Sequence, residues 1–129
     1  MNSPENTAQH AANPDVPVFD AGVLGAMFGN ESAVIASVLQ TFVAGARSNL
    51  AELGQAFAAQ DLATAAALAH KIAGACHMSG ALALGHAARG VEQAAKQGDV
   101  TAIQHGLRDL HTQWHLAQVA IGDPAVPPK

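Results

Sequence analysis

The chain has 129 residues, enough for one domain, and only 12% of them are charged, with a net charge of −4. Its six lysines and arginines are scattered and only 4% of its residues are aromatic. It therefore lacks a basic stripe for phosphates and an aromatic platform for bases, and we expect no nucleic-acid binding. Alanine is the commonest residue, with 30 copies. So many helix formers beside so few aromatic residues predict an all-α protein.

Three further features narrow the class of protein. The single cysteine, Cys76, excludes an internal disulfide and a multi-cysteine metal site. The start of the chain is polar and rich in proline, unlike a secretory signal. The longest strongly apolar stretch, 32–46, is shorter than the roughly 20 residues that span a bilayer. We therefore expect a cytoplasmic protein without membrane contact.

The chain divides into three predicted regions. Residues 1–17 are predicted to be a disordered lead-in or linker, and residues 123–129 a flexible tail, because both are polar and contain proline. Residues 18–122 carry the helical period throughout. A short helix is predicted first, capped by Asp20 and ending near Gly29.

The next two helices are predicted from apolar residues that recur every three or four positions. The first is long, capped by Asn30, and extends to about Ala59. The second begins after Asp61 and is interrupted at Ser79, which is predicted to cap the helix that follows. Its predicted buried stripe contains Leu62, Ala65, Ala69, Ile72 and Cys76.

The last two helices complete the predicted domain. One runs to about Gln97, where Gly98 suits a left-handed helix end and Asp99 caps the next helix. The final helix has an unbroken apolar stripe from Val100 to Ile121. Four amphipathic helices joined by short loops predict an antiparallel up-and-down four-helix bundle, with a short extra helix at its N-terminus.

Seven histidines among few other polar groups are the main chemical signal. His70 is predicted beside the buried stripe of its helix, because one residue turns a helix by about 100°. Its neighbours on that face are small: Ala66, Ala67, Ala73 and Gly74. A glycine within a helix costs about 0.5–1 kcal/mol relative to alanine, which suggests that something approaches closely there. An imidazole in such a clearing is a nucleophile that another protein can reach, although a lone surface histidine more often has no role.

The segment AHKIAGACHMSGA, 69–81, resembles the signature of histidine-containing phosphotransfer (HPt) domains, Ala-His-x-Leu-Lys-Gly followed by a glycine six residues later. Two flanking segments, AFAAQDLATAAALAH and VEQAAKQGD, are similar to the family's acidic turn and to its Leu-Glu-x-Ala segment. The resemblance covers about residues 18–121. The positions that match the signature in identity or type are Ala69, His70, Ile72, Gly74 and Gly80.

The resemblance implies a four-helix bundle that carries phosphoryl groups. His70 would accept a phosphoryl group on Nε2 from the aspartate of a receiver domain and pass it to another receiver. Such a domain is a carrier rather than an enzyme and has no cofactor of its own, since Mg²⁺ belongs to the partner receiver. The implied partners are receivers of response regulators or of a hybrid sensor kinase. The lead-in resembles an interdomain linker, which slightly favours a hybrid kinase, and we expect a monomer.

One position departs from the family pattern. The family usually has lysine three residues after the histidine, where this chain has Ala73. Lys71 is a candidate substitute, because its long side chain can swing toward the phosphate, and His77 is a candidate polar contact to the receiver. The predicted docking face contains Ala66, Ala67, His70, Ala73, Gly74 and His77.

Other interpretations remain open. The main alternative is a non-catalytic helical module that docks a receiver or another partner without being phosphorylated. His111 and His115 have the spacing of two ligands of one metal, but a solvated helix face is the favoured interpretation. Cys76 and Trp114 are predicted in the core, and Glu92 is predicted on the surface.

Overall fold

The computed structural model describes residues 16–124, which contain five helices and no strand. This arrangement confirms the predicted all-α class. Helix α1 is short, and the four that follow have 16 to 27 residues each. The helices are α1 (Ala21–Phe28), α2 (Ser32–Ala58), α3 (Leu62–Ser79), α4 (Leu82–Gln97) and α5 (Val100–Ile121).

Most helix ends lie where the short polar residues and glycines predict them. Asp20, Asp61 and Asp99 each accept a hydrogen bond from a first-turn amide, at 2.9, 3.1 and 3.1 Å, through their side-chain oxygens. Gly98 and Gly122 end α4 and α5 in the left-handed conformation, with φ of 67° and 88°. These caps fix the lengths of the helices that carry the site.

Two predicted caps are wrong. Helix α2 is preceded by Glu31 rather than Asn30, and no side chain caps it. Ser79 is the last residue of α3 and donates its hydroxyl to the carbonyl of Ala75, at 2.9 Å. Ser79 lies two residues before Ala81, the N-cap of the next helix, and no side chain caps that helix.

Successive helices pack against each other, and the seam between α3 and α4 is lined by small residues. Ala65, Ala69 and Cys76 of α3 and Ala88 of α4 have no exposed surface. Small side chains on both helices shorten the distance between their axes. Val100, predicted at the start of the buried stripe of α5, is instead 65% exposed, because it lies in the first turn of that helix.

The segment before α1 is hydrogen-bonded to the helical bundle. The carbonyl of Pro17 accepts a hydrogen bond from the amide of Ala83, at 2.9 Å, and the amide of Asp20 donates to the carbonyl of Gly80, at 2.8 Å. Pro17, assigned from the sequence to the lead-in, is therefore tied to the first turn of α4, and Val16 is half-buried. The rest of the predicted lead-in, residues 1–15, lies outside the described residues.

The end of α5 is also held to the bundle. Asp123 is buried and accepts hydrogen bonds from Arg47, at 2.6 Å, and from Gln118, at 3.0 Å. Asp123, the first residue of the predicted flexible tail, is therefore part of the fold. The guanidinium of Arg47 also lies 5.9 Å from the centre of the Trp114 ring. Residues 125–129 of the predicted tail lie outside the described residues.

Candidate functional site

His70 projects from the middle of α3 with its side chain 68% exposed. Its neighbours Ala69 and Ile72 are buried in the core, at 0% and 2% exposure. The ring is therefore on the solvent side of a helix whose opposite side is fixed by packing, as the sequence pattern predicts. Two neighbours on its face, Ala67 and Gly74, are exposed as well.

Glu92 of α4 contacts the ring of His70 across the α3–α4 seam. Its carboxylate oxygens Oε2 and Oε1 lie 3.1 and 3.3 Å from Nδ1 of the imidazole. The side chain of Glu92 is only 9% exposed, so its predicted position on the surface is wrong. Its contact with His70 is not predicted from the sequence, although Glu92 stands in the VEQAAKQGD segment that carries part of the family resemblance.

This contact decides which ring nitrogen of His70 is free. An ionised carboxylate only accepts hydrogen bonds, so the neutral imidazole must carry its proton on Nδ1 and donate it to Glu92. The lone pair then lies on Nε2, which faces away from the carboxylate. The pair thus presents one nucleophilic nitrogen toward solvent on a ring whose orientation is held from the neighbouring helix.

Lys96 is the second side chain that contacts Glu92. Its Nζ lies 3.0 Å from Oε2, the same oxygen that contacts His70, and the two residues are one helical turn apart on α4. The hydrogen bond from Lys96 is the main reason why the pKa of Glu92 lies below its ordinary value of 4.5, and the contact with His70 lowers it further. Glu92 is therefore ionised near neutral pH and can accept the Nδ1 proton.

Not all of the small residues around His70 are exposed to solvent. Ala73 has no exposed area and Ala66 has 8%, so the predicted docking role of Ala73 is wrong. The reason is that Ala73 belongs to the core cluster, together with Ile72. Lys71 is exposed, and its side chain makes no hydrogen bond or ion pair among the described residues, so its role as the substitute cation stays a prediction.

His77, one of the predicted supporting residues, is anchored to its own helix and to α4. Its Nδ1 lies 2.7 Å from the carbonyl oxygen of Ala73, so Nδ1–H donates to that oxygen. The ring also packs over Gly85 of α4, where an added methyl group would lie 3.0 Å from Cε1. His77 therefore helps to pack the α3–α4 seam, and its predicted contact with a receiver stays untested.

The remaining candidate groups do not assemble into a second site. In the part of the chain that the structure describes, no three His, Cys, Asp or Glu side chains are close enough to hold a metal ion. His111 and His115 are exposed, as predicted for a solvated face. Cys76 is buried, and desolvation raises the pKa of its thiol to about 12, so it is a core residue rather than a nucleophile.

An apolar groove lies beside the second half of α3, where α1 and α2 meet it. The groove has a volume of about 340 Å³. Its rim includes Met27 and Met78, which are 53% and 66% exposed. No extended apolar patch is evident from the sequence, because these residues come from different helices. Its floor includes Leu24, Phe42, Ala46 and Ile72.

The fold and the site together define an all-helical domain in which His70 presents an oriented, accessible imidazole. A family model described as "Hpt domain" matches residues 37–120, more than half of the chain, and the chain belongs to this family. Hpt domains carry phosphoryl groups in two-component signalling and interact with receiver domains. No curated protein and no solved structure is significantly similar to the chain. Each helix between residues 16 and 124 is too short or too polar to span a bilayer.

Proposed function

We propose that this protein is a phosphorelay intermediate that accepts a phosphoryl group on Nε2 of His70 from a receiver-domain aspartate and passes it to another receiver. The single observation that carries the proposal is the exposed ring whose Nδ1 is occupied by Glu92, at 3.1 Å. The scaffold we infer is the antiparallel up-and-down bundle of α2–α5 with α1 added. Connections of two or three residues between successive helices support it.

The proposed transfer uses only groups that the site holds. The lone pair of Nε2 attacks phosphorus, the bond to the aspartyl oxygen breaks, and the aspartate leaves as a carboxylate. The ring then keeps its Nδ1 proton and carries a positive charge, which the Glu92 carboxylate stabilises. The second receiver reverses these steps with its own aspartate. Orientation and electrostatics supply most of what phosphoryl transfer needs, and Mg²⁺ would come with the receiver.

The receiver would dock over the exposed small residues around His70. Ala67 and Gly74 leave the imidazole accessible, and a Cβ added to Gly74 would meet no atom within 4 Å. Met78, two turns after His70 on α3, continues this surface into the apolar groove. A receiver of either kind, in a response regulator or in a hybrid sensor kinase, has the acidic pocket that such a nucleophile must enter. The monomeric state and the cytoplasmic location stay predictions.

The test is transfer from a phosphorylated receiver that carries radioactive phosphate. The wild type is expected to gain an acid-labile, base-stable phosphate, which identifies phosphohistidine. His70→Gln should gain none. His86→Gln is the matched control, because His86 is also exposed and lies on the neighbouring helix, and it should be labelled like the wild type.

Two outcomes would contradict the proposal. Label that persists in His70→Gln would mean that another residue is the acceptor. Binding of receivers without any labelling of the wild type would favour the alternative, a docking module that is not phosphorylated. Circular dichroism of each variant shows whether the bundle is intact.

A further inference from the structure

Phosphorylation of His70 adds negative charge close to the carboxylate of Glu92. A phosphoryl group carries about −1.5 to −2 charges near neutral pH. On Nε2 it would share one imidazole with the ionised Glu92, whose Oε2 lies 3.1 Å from Nδ1. The phosphorylated imidazole between these two anions carries a single positive charge, so the three groups together stay net negative unless another cation lies nearby. The position three residues after His70 cannot supply one, because Ala73 is a buried methyl group.

Lys96 is the cation that the structure places at this point. Within residues 16–124, it is the only lysine or arginine whose side chain contacts Glu92. Oε2 of Glu92 contacts both Nδ1 of His70 and Nζ of Lys96, at 3.1 and 3.0 Å. A single carboxylate oxygen therefore bridges the ammonium group and the imidazole ring. Lys71 is closer in sequence, but it makes no such contact among the described residues.

Lys96 also has room to move. Its side chain is 58% exposed. It borders an open cleft of about 380 Å³ between the start of α3 and the end of α4, with Ala66 and Ala95 among the other lining residues. These small neighbours leave the lysine free to turn, so its ammonium group can swing from the carboxylate toward a new anion without displacing packed side chains.

We propose that Lys96 is the phosphate-binding cation of this site, and that its ammonium group turns from Glu92 toward the phosphoryl oxygens when His70 is phosphorylated. This inference rests on the proposed function. It assigns to Lys96 the role that the sequence suggests for Lys71. The cation that compensates the phosphate charge, Lys96, and the carboxylate that orients the ring, Glu92, then both come from α4. Arginine at position 96 should preserve the role, because it also carries a fixed positive charge.

The experiment phosphorylates the protein with phosphoramidate, which needs no receiver. The P–N bond of the donor breaks, a P–N bond to Nε2 forms, and ammonia leaves. The phosphoryl pKa is then read from the ³¹P chemical shift as the pH is varied. Lys96→Gln should raise that pKa by roughly 0.2–0.7 unit, the size expected for an exposed ion pair. Lys96→Arg should leave the pKa near the wild-type value, and Lys71→Gln is the matched control that should not change it.

A double variant separates phosphate binding from an indirect effect. If Lys96 acted only by holding Glu92, Lys96→Gln would change nothing further in a Glu92→Gln background. A phosphoryl pKa that still rises in that background supports direct contact, and one that does not rise overturns the inference. An equal rise in Lys71→Gln would also overturn it. If the wild type takes up no phosphate, or if His70→Gln takes up as much, the proposed function fails first and this inference fails with it.

Discussion

Nδ1 of His70 lies 3.1 Å from Oε2 of Glu92, although the two residues are 22 positions apart in the chain and belong to different helices. The close α3–α4 seam makes this contact possible, because the residues that separate the helices are small. The nucleophile and the group that orients it therefore come from two elements. Any change in the spacing of α3 and α4 is expected to affect the orientation of the imidazole before it affects its accessibility.

Removing the carboxylate should slow phosphorylation of His70 while leaving the ring exposed. A charge-assisted hydrogen bond stabilises by about 1.5–3 kcal/mol, so Glu92→Ala is expected to lower the rate of phosphorylation roughly 10- to 100-fold. The measurement is the initial rate with phosphoramidate or with a phosphorylated receiver. Glu52→Ala, at an exposed glutamate of α2, is the matched control. An unchanged rate in Glu92→Ala would show that orientation by Glu92 does not matter.

Glu92 should also make the stability of the bundle depend on pH on the acid side. Its folded-state pKa is lowered, mainly by the hydrogen bond from Lys96, from an ordinary value of 4.5. The ionised form is therefore favoured in the folded state. Its stabilising contribution is complete above pH 4.5 and is lost as the pH falls through the lower folded-state pKa.

This contribution is measured by urea unfolding of the wild type and of Glu92→Gln from about pH 2.5 to about pH 7, a range that includes the ordinary pKa of glutamate. The free energy of unfolding of the wild type should fall more steeply on acidification than that of the variant. Glu52→Gln should retain the wild-type slope. Equal slopes in the wild type and Glu92→Gln would contradict the inferred ion pair.

The sequence predicts the helices well and the site only in part. Caps such as Asp61 and Asp99 and the period of apolar residues are local signals, so they place helices to within a residue or two. His70 is found because exposure follows from its position on one helix. Glu92 is missed because its burial depends on the neighbouring helix, and a glutamate at the edge of an apolar stripe is ordinarily exposed. No pattern within one helix predicts a contact across two.

Gly74→Ala should separate stability from transfer. A Cβ at position 74 would meet no atom within 4 Å, so alanine should stabilise the helix by about 0.5–1 kcal/mol. The added methyl group would lie one turn from His70 on the proposed docking face, so transfer from a receiver should slow severalfold. Phosphorylation by phosphoramidate should hardly change, because the donor is small.

The control for this variant is Gly54→Ala on α2, where an added Cβ also meets nothing within 4 Å. It should give a similar gain in the free energy of unfolding without any change in transfer. If both variants transfer phosphate at the wild-type rate, the receiver does not dock close to Gly74.

Gly85→Ala should disturb the α3–α4 seam itself. Its Cβ would lie 3.0 Å from Cβ of Cys76 and 3.0 Å from Cε1 of His77. The first atom is fixed by the backbone of α3, and the His77 ring is held by its hydrogen bond to the carbonyl of Ala73, at 2.7 Å. Overpacking of this kind costs about 1–3 kcal/mol, more than the roughly 1 kcal/mol that alanine gains over glycine in a helix. The free energy of unfolding should therefore fall.

The same substitution tests whether the seam positions the site. Gly90→Ala, on the same helix with open space where its Cβ would lie, should stabilise the protein. His77→Ala should restore part of the stability lost in Gly85→Ala, because it removes one of the two crowded partners, and a double-mutant cycle measures that coupling. If α3 and α4 are pushed apart, the His70–Glu92 hydrogen bond lengthens and phosphorylation by phosphoramidate slows. Purely additive effects of the two substitutions would show that the His77 ring does not crowd the Cβ added at position 85.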